Sequence, residues 1–279
     1  MKLRRPLLIF VSLTVIMCVV VFQVFAENRV LHLATTTSTD NTGLLDYLAP
    51  AFESSTGIEL RWVAVGTGKA LALGRNCDVD VLMVHAPAAE AEYVSEGYGV
   101  ARHPFMYNDF IIIGPKSDPA GIRGKTVTEA LNVMHRNDVH FASRGDDSGT
   151  NRREIQLWKE TGLGVPDRES WYIQTGQGML NTITIAAEWD AYTLTDRGTF
   201  IKYEVNWKGD PPLVTLVEGD HALRNQYSVI AVNPALCSQV RSDLAEEFIQ
   251  WVLSPEAQRL IGEFTLMGNK LFIPNGGME

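Results

Sequence analysis

Positive charge is what this sequence has least of: 24 Lys and Arg stand against 33 Asp and Glu over 279 residues, a formal net charge of −9. That balance excludes a broad basic surface for nucleic acid. Metal and nucleophile signatures are missing as well. The six histidines (His32, His85, His103, His135, His140 and His221) show no paired spacing of the kind a zinc site uses, which leaves each as a surface or packed residue. Gly66-Thr67-Gly68-Lys69-Ala70 contains a Gly-Lys pair, but neither the following Ser or Thr nor the upstream Gly of a P-loop. Ser148 has Asp146 in place of Gly two positions before it, so it does not sit on a nucleophile elbow. No low-complexity segment or internal repeat occurs, and after Phe22 no apolar run is long enough to span a bilayer.

What is present begins with a leader. Lys2, Arg4 and Arg5 precede an apolar run from Leu7 to Phe22, and Val24-Phe25-Ala26 closes it, the pattern of a secretory signal cleaved after Ala26, with an uncleaved membrane anchor as the other reading and a lipid attachment at Cys18 disfavoured by Val15-Ile16-Met17 before it. Loss of those three cations lowers the formal charge to about −12. The remaining 253 residues exceed what one core usually serves, so two lobes are expected. Cysteine is sparse: outside the leader, which holds Cys18, only Cys77 and Cys237 occur. An oxidising compartment permits them to pair, and two buried thiols are the other reading.

Apolar, β-rich runs alternate with helical patterns along the mature chain, the signature of βαβ units and largely parallel sheets. Strands are expected at Val30 to Ala34, Ile58 to Val65, Val79 to His85, Phe110 to Gly114, Val139 to Ser143, Ala191 to Leu194, Val214 to Val217 and Tyr227 to Val232. Leu44, Leu45, Leu48 and Phe52 recur at helical spacing between possible caps at Ser38 to Asp40 and a stop at Gly57, with Pro50 inside. Further helices are expected from near Ser148, from Gly178, through Leu244 to Val252, and from Ser254-Pro255. The segments Asn108 to Pro115 and Asn225 to Val232 read as crossings between lobes. They divide the chain into lobe I (27–108 plus 229–279) and lobe II (109–228).

One local arrangement recurs: a strand, a short Gly, Ser and Thr loop, then a helix start. It is found at Ala34-Thr35-Thr36-Thr37-Ser38-Thr39, Val65-Gly66-Thr67-Gly68, Ser143 to Thr150, and Thr175-Gly176-Gln177-Gly178. Each places backbone N–H groups, hydroxyls and a helix N-terminus, worth roughly half a positive charge, at the carboxyl end of a strand. Several such loops aimed at one point hold a dianion without many basic side chains, so an acidic protein can carry an anion site made of short-range, directed donors. Arg144 is the fixed charge among them, and its planar fork suits an oxyanion edge, a salt bridge to Asp146 or Asp147 being its structural alternative. Those two carboxylates are acceptors and repel a fully deprotonated anion; one of them can orient Arg144 or cap the helix. A secreted phosphoryl-handling enzyme using the same donors would need a nucleophile or a metal constellation, and neither is visible.

Together, Ala34-Thr35-Thr36-Thr37-Ser38-Thr39-Asp40-Asn41-Thr42-Gly43-Leu44-Leu45, Val65-Gly66-Thr67-Gly68 and Ser143-Arg144-Gly145-Asp146-Asp147-Ser148-Gly149-Thr150 resemble the periplasmic tungstate-binding proteins of ABC uptake systems. Thr175 to Met179 and Tyr192 to Gly198 are similar too, so the resemblance runs over essentially all of the mature chain. It implies an α/β, type II periplasmic-binding-protein fold: two lobes joined by two crossover strands, with the ligand in the cleft between them. It further implies a monomer without catalysis or cofactor, tungstate or molybdate as ligand, a membrane permease as partner and a periplasmic location. By residue, Thr35, Thr36, Ser38 and Thr67 become donors from one lobe, and Arg144, Ser148 and Thr150 from the other, with Gly178 and Thr195 added. Arg144, Asp146, Ser148, Gly149 and Thr150 also resemble the Arg-x-Asp-x-Ser-Gly-Thr pattern of phosphate-binding proteins, in which the Asp accepts the proton of hydrogen phosphate.

Overall fold

The structure, a computed structural model, describes residues 29–277. The expected leader with its cleavage after Ala26, and Cys18 within it, lie outside the described residues. Among the described residues no helix is long and apolar enough to cross a membrane.

The strands are β1 (Val30–Thr36), β2 (Glu59–Val65), β3 (Val81–Val84), β4 (His103–Pro115), β5 (Phe141–Ser143), β6 (Tyr172–Gln174), β7 (Thr193–Asp196), β8 (Leu213–Val217) and β9 (Arg224–Ala231), followed by the short β10 (Thr265–Leu266), β11 (Asn269–Lys270) and β12 (Ile273–Pro274). Between and after them lie α1 (Thr37–Asp40), α2 (Leu44–Thr56), α3 (Thr67–Arg75), α4 (Pro87–Ser95), α5 (Val127–Arg136), α6 (Gly149–Glu160), α7 (Met179–Glu188), α8 (Arg197–Asn206), α9 (Ser242–Leu253) and α10 (Pro255–Glu263).

The expected strands all form, but the sheet is mixed where largely parallel pairing was expected. Its order is β2-β1-β3-β9-β4-β12, with β1 parallel to β2 and β3, while the pairings β3 with β9, β9 with β4 and β4 with β12 are antiparallel. The cause is topological: β4 carries the chain out of this sheet and β9 carries it back, so the two run in opposite directions. Residues 103–109 of β4 pair with β9, and from Phe110 the same strand pairs with β7 and β8. A single long strand thus belongs to two sheets.

Period-two burial on these strands builds a core on each face. Leu31, Leu33, Val81, Met83 and Val229 enter one cluster with α2, α9 and α10, while Ala34, Leu82, Val84 and Ile230 enter the opposite one with α3 and α4. The second sheet repeats the plan: Phe110 and Ile112 face the aromatic cluster of Phe141, Trp158, Trp171 and Tyr172, and Ile111 and Ile113 face α7 and α8. The result is two α/β lobes, each with helices on both faces of its sheet.

At the front of β1 the chain does not run directly into one helix. Thr36 caps the single turn α1, its side chain accepting from Thr39 N, and Gly43 at φ +77° then resets the backbone before α2 begins. Pro50 lies inside α2, whose Leu44, Leu45, Leu48 and Phe52 are buried. Cys77 and Cys237, 160 residues apart, form a disulfide with Cα atoms 5.4 Å apart, tying the end of α3 to the segment after β9.

Candidate functional site

A cavity of about 580 Å³ lies where the carboxyl ends of strands from both lobes meet the crossing strands, a size usual for small-molecule sites. Thr36, Thr37 and Ser38 reach it from the turn after β1, Gly66, Thr67, Gly68 and Lys69 from the start of α3, and His85 from the end of β3. Asn108, Asn225 and Tyr227 line it from the crossing strands. Lobe II contributes Arg144, Ser148, Gly149, Thr150, Met179, Asp196 and Lys202.

Six of the nine expected donors are therefore brought together: Thr36, Ser38, Thr67, Arg144, Ser148 and Thr150. The other three stand elsewhere. Strand alternation turns Thr35 away from Thr36; it is fully buried and its hydroxyl donates to the Met83 carbonyl at 2.9 Å. Thr195 is likewise fully buried, its hydroxyl donating to the Asp196 carbonyl at 3.1 Å. Gly178 is the exposed N-cap of α7, and the chain enters the cavity wall only at Met179 and Leu180.

Arg144 is the cation among the six expected donors that line the cavity. Its Nη2 donates to Asp146 Oδ2 at 2.5 Å, and the other Asp146 oxygen accepts from Ser148 N at 3.2 Å. Burial pushes the Asp146 carboxyl up, but the hydrogen bonds from Ser148 and Arg144 outweigh it and hold the group below the usual carboxylate range. Asp146 thus orients Arg144 and shapes the entry to α6. Both of its oxygens are engaged, and it does not line the cavity. Arg144 Nε, in contrast, is buried without a hydrogen-bond partner among the described residues. A donor left buried and unpaired on a cation is costly and rare in native structures.

The loop that carries Arg144 is braced from behind. Glu154, 3% exposed, accepts from the Ser143 hydroxyl, from Trp158 Nε1 at 2.9 Å and from the Tyr172 hydroxyl at 2.6 Å. Burial raises its carboxyl above the usual range and these donors pull against that rise. Gly145 completes the loop: it stands at φ +60°, and a Cβ there would meet Gln174 Cβ at 2.8 Å.

A second network was not foreseen. His85 Nε2 lies 3.0 Å from Thr36 Oγ1 and 3.1 Å from Ser38 Oγ, and its Nδ1 lies 3.0 Å from Asn225 Oδ1. Asn225 Nδ2 donates to Asn108 Oδ1 at 2.7 Å, and the imidazole stacks on Tyr227 with ring centroids 4.6 Å apart. Burial lowers the His85 pKa, opposed by the Asn225 hydrogen bond and the charge of Asp196. One signal could have found it: His85 ends a strand as the Thr and Gly loops do, but Ala86-Pro87 follows in place of Gly, Ser or Thr.

The arrangement can hold a small anion by directed donors from two lobes. Comparison with known proteins agrees with that geometry. Residues 24–256 match the family model described as a PBP superfamily domain. The chain is 52% identical over 236 residues to the tungstate-binding protein TupA of Campylobacter jejuni, covering 85% of this chain and 87% of that one. It is 45% identical over 248 residues to the TupA of Peptoclostridium acidaminophilum, covering 87% and 85%. The solved structure of the tungstate-binding protein TupA from Desulfovibrio alaskensis G20 superposes with a TM-score of 0.87 at 60% identity, covering 88% of this chain and 99% of that one. With its two-lobed fold, its cleft of helix starts and these relatives over most of its length, the chain belongs to the periplasmic-binding-protein superfamily, in the TupA family of that fold.

Proposed function

We propose that this protein captures tungstate in the cleft and delivers it to the membrane permease of an ABC importer, acting as a binding protein and not as an enzyme. The observation that carries this reading is the buried, unpartnered Nε of Arg144 beside a ring of hydroxyls and helix starts from both lobes. Thr36, Ser38 and Thr67 serve as donors from lobe I, and Arg144, Ser148 and Thr150 from lobe II. The lobes follow the division 27–108 plus 229–279 against 109–228, and the pairing of residues 225–228 with β3 and β4 in the first sheet supports a second junction near Arg224. Rotation at the Asn108–Asp109 and Arg224–Asn225 junctions closes the lobes on the anion and excludes water, which strengthens each charged hydrogen bond. The protein works as a monomer on the outer side of the membrane, exported by the leader that ends at Ala26.

Molybdate shares the charge and nearly the size of tungstate and is expected to compete. Hydrogen phosphate is disfavoured, because it needs an acceptor for its proton and the candidate, Asp146, is turned to Arg144 and Ser148 N and does not line the cavity. Calorimetric titration of ligand-stripped protein 27–279 with tungstate, molybdate, sulfate and phosphate at neutral pH tests the reading. One-to-one binding of tungstate with sulfate and phosphate silent is the expected result. Binding of phosphate without tungstate, or of none of the four, overturns it.

A further inference from the structure

The Asn108, Asn225, His85 chain has a direction. Asn225 Nδ2 donates to Asn108 Oδ1, so Asn225 Oδ1 faces His85, and a carbonyl oxygen there requires a proton on Nδ1. A neutral His85 therefore presents a bare Nε2 to Thr36 Oγ1 and Ser38 Oγ, 3.0 and 3.1 Å away. In that state at least one of these hydroxyl protons points at the ring, although both side chains line the cavity. The neutral site spends a donor that an oxyanion would use.

Resting on the oxyanion reading above, we propose that His85 is a positioning residue for the ligand: anion entry draws one proton from solvent onto His85 Nε2, the imidazolium donates to the Thr36 and Ser38 oxygens, and their hydroxyl protons turn to the anion. The proton returns to solvent when the anion leaves, so no bond beyond N–H is made or broken.

The surroundings suit this exchange. The groups that face the ring are the uncharged Thr36 and Ser38 after β1 and Asn225 and Tyr227 on β9, with Asn108 on β4 behind Asn225 and the carboxylate of Asp196 at the head of α8 acting through its charge. Burial raises the Tyr227 phenol far above neutral pH, which keeps it uncharged. Burial lowers the His85 pKa in the empty cleft, while the negative charge of Asp196 already favours the cation and a dianion adds to that. The sign follows from linkage. His85 binds a proton more tightly with the anion present than without it, so affinity rises as pH falls through the higher, ligand-bound pKa and levels off below the lower one.

Calorimetric titration of the wild-type protein with micromolar tungstate, between about pH 5 and 8 in buffers of differing ionisation enthalpy, reads the linkage directly. Uptake approaching one proton per anion, with affinity rising at most roughly tenfold per unit of falling pH, is expected. His85→Gln should remove the uptake and flatten the profile, and Asn225→Asp should shift the rise to higher pH, because a carboxylate at Nδ1 stabilises the imidazolium. Tight binding by the wild type without proton uptake overturns the inference and leaves the oxyanion reading standing. Uptake that persists in His85→Gln, or an unmoved profile in Asn225→Asp, also overturns it. Absence of binding at every pH overturns the oxyanion reading, and the inference with it.

Discussion

At the scale of single residues, Arg144 is the side chain on which the proposed oxyanion site rests most. Its donors are divided: Nη2 goes to Asp146 for orientation, while Nε is buried without a partner among the described residues. Arg144→Ala removes a charged hydrogen bond, worth about 1.5–3 kcal/mol, so tungstate affinity is expected to fall roughly tenfold to a hundredfold or more in calorimetry. Unchanged affinity would take Arg144 out of the site. Arg144→Lys tests the same point more finely, because an ammonium keeps the charge but loses the planar fork that reaches Asp146 and, as proposed, the anion together. The residue types here were legible as a class, since Thr, Ser and Arg at strand ends announce oxyanion donors. Which hydroxyls face the cavity was not. Thr35 and Thr36 are adjacent and chemically identical, and only the pleat of β1 sends one to the Met83 carbonyl and the other to the cleft.

Among the elements, β4 decides the most. Its thirteen residues serve two sheets, and the change of partners occurs at Asp109, where Arg197 donates Nε and Nη2 to both carboxylate oxygens at 2.6 Å and Nη2 also reaches Glu218 at 2.7 Å. The bidentate Asp109 pair raises the Arg197 pKa further, so the guanidinium stays charged at any working pH. Arg197→Met leaves a partly buried carboxylate unpaired and is expected to cost about 1–3 kcal/mol, less than a fully buried pair because water still reaches both partners. Thermal or urea unfolding measures it, and an unchanged midpoint would show the clamp to be dispensable. Several elements escaped the sequence reading for physical reasons. β6 is three residues long with one of them exposed, and α8 has almost no amphipathic contrast, since it is covered on several sides. The α5 cap was readable in hindsight: Thr126 and Glu129 form a capping box with both bonds made.

In the whole molecule, the two lobes are unequal in their fastenings. The Cys77–Cys237 bond closes a loop spanning 160 residues and joins two segments of the first lobe. Chain entropy gives such a cross-link about 5 kcal/mol as an upper figure, so reduction or the Cys77→Ala, Cys237→Ala pair should lower the melting temperature measurably. A melting temperature indifferent to reductant would remove the bond from the stability of the protein. Across the cleft the ties are lighter: Lys202 Nζ on α8 donates to the Asn41 carbonyl at 2.8 Å, and Ile201 joins the core of the first lobe. If the lobes close on the anion as proposed, each of these ties must be remade when the cleft opens.

By itself the sequence determined what depends on local chemistry and periodicity: the α/β class, nearly every strand of the two main sheets, the helix-start loops, and a family resemblance that the relatives uphold. These are legible because side-chain alternation, caps and glycine turns act over a few residues. Tertiary structure alone decided the mixed sheet, the pairing of Cys77 with Cys237, the selection of Thr36 over Thr35, and the His85, Asn225 and Asn108 chain. His85 and Asn225 are 140 positions apart and meet only because β9 returns beside β3. No periodicity in one chain encodes that meeting, since it is set by which strands find each other and not by what either strand contains.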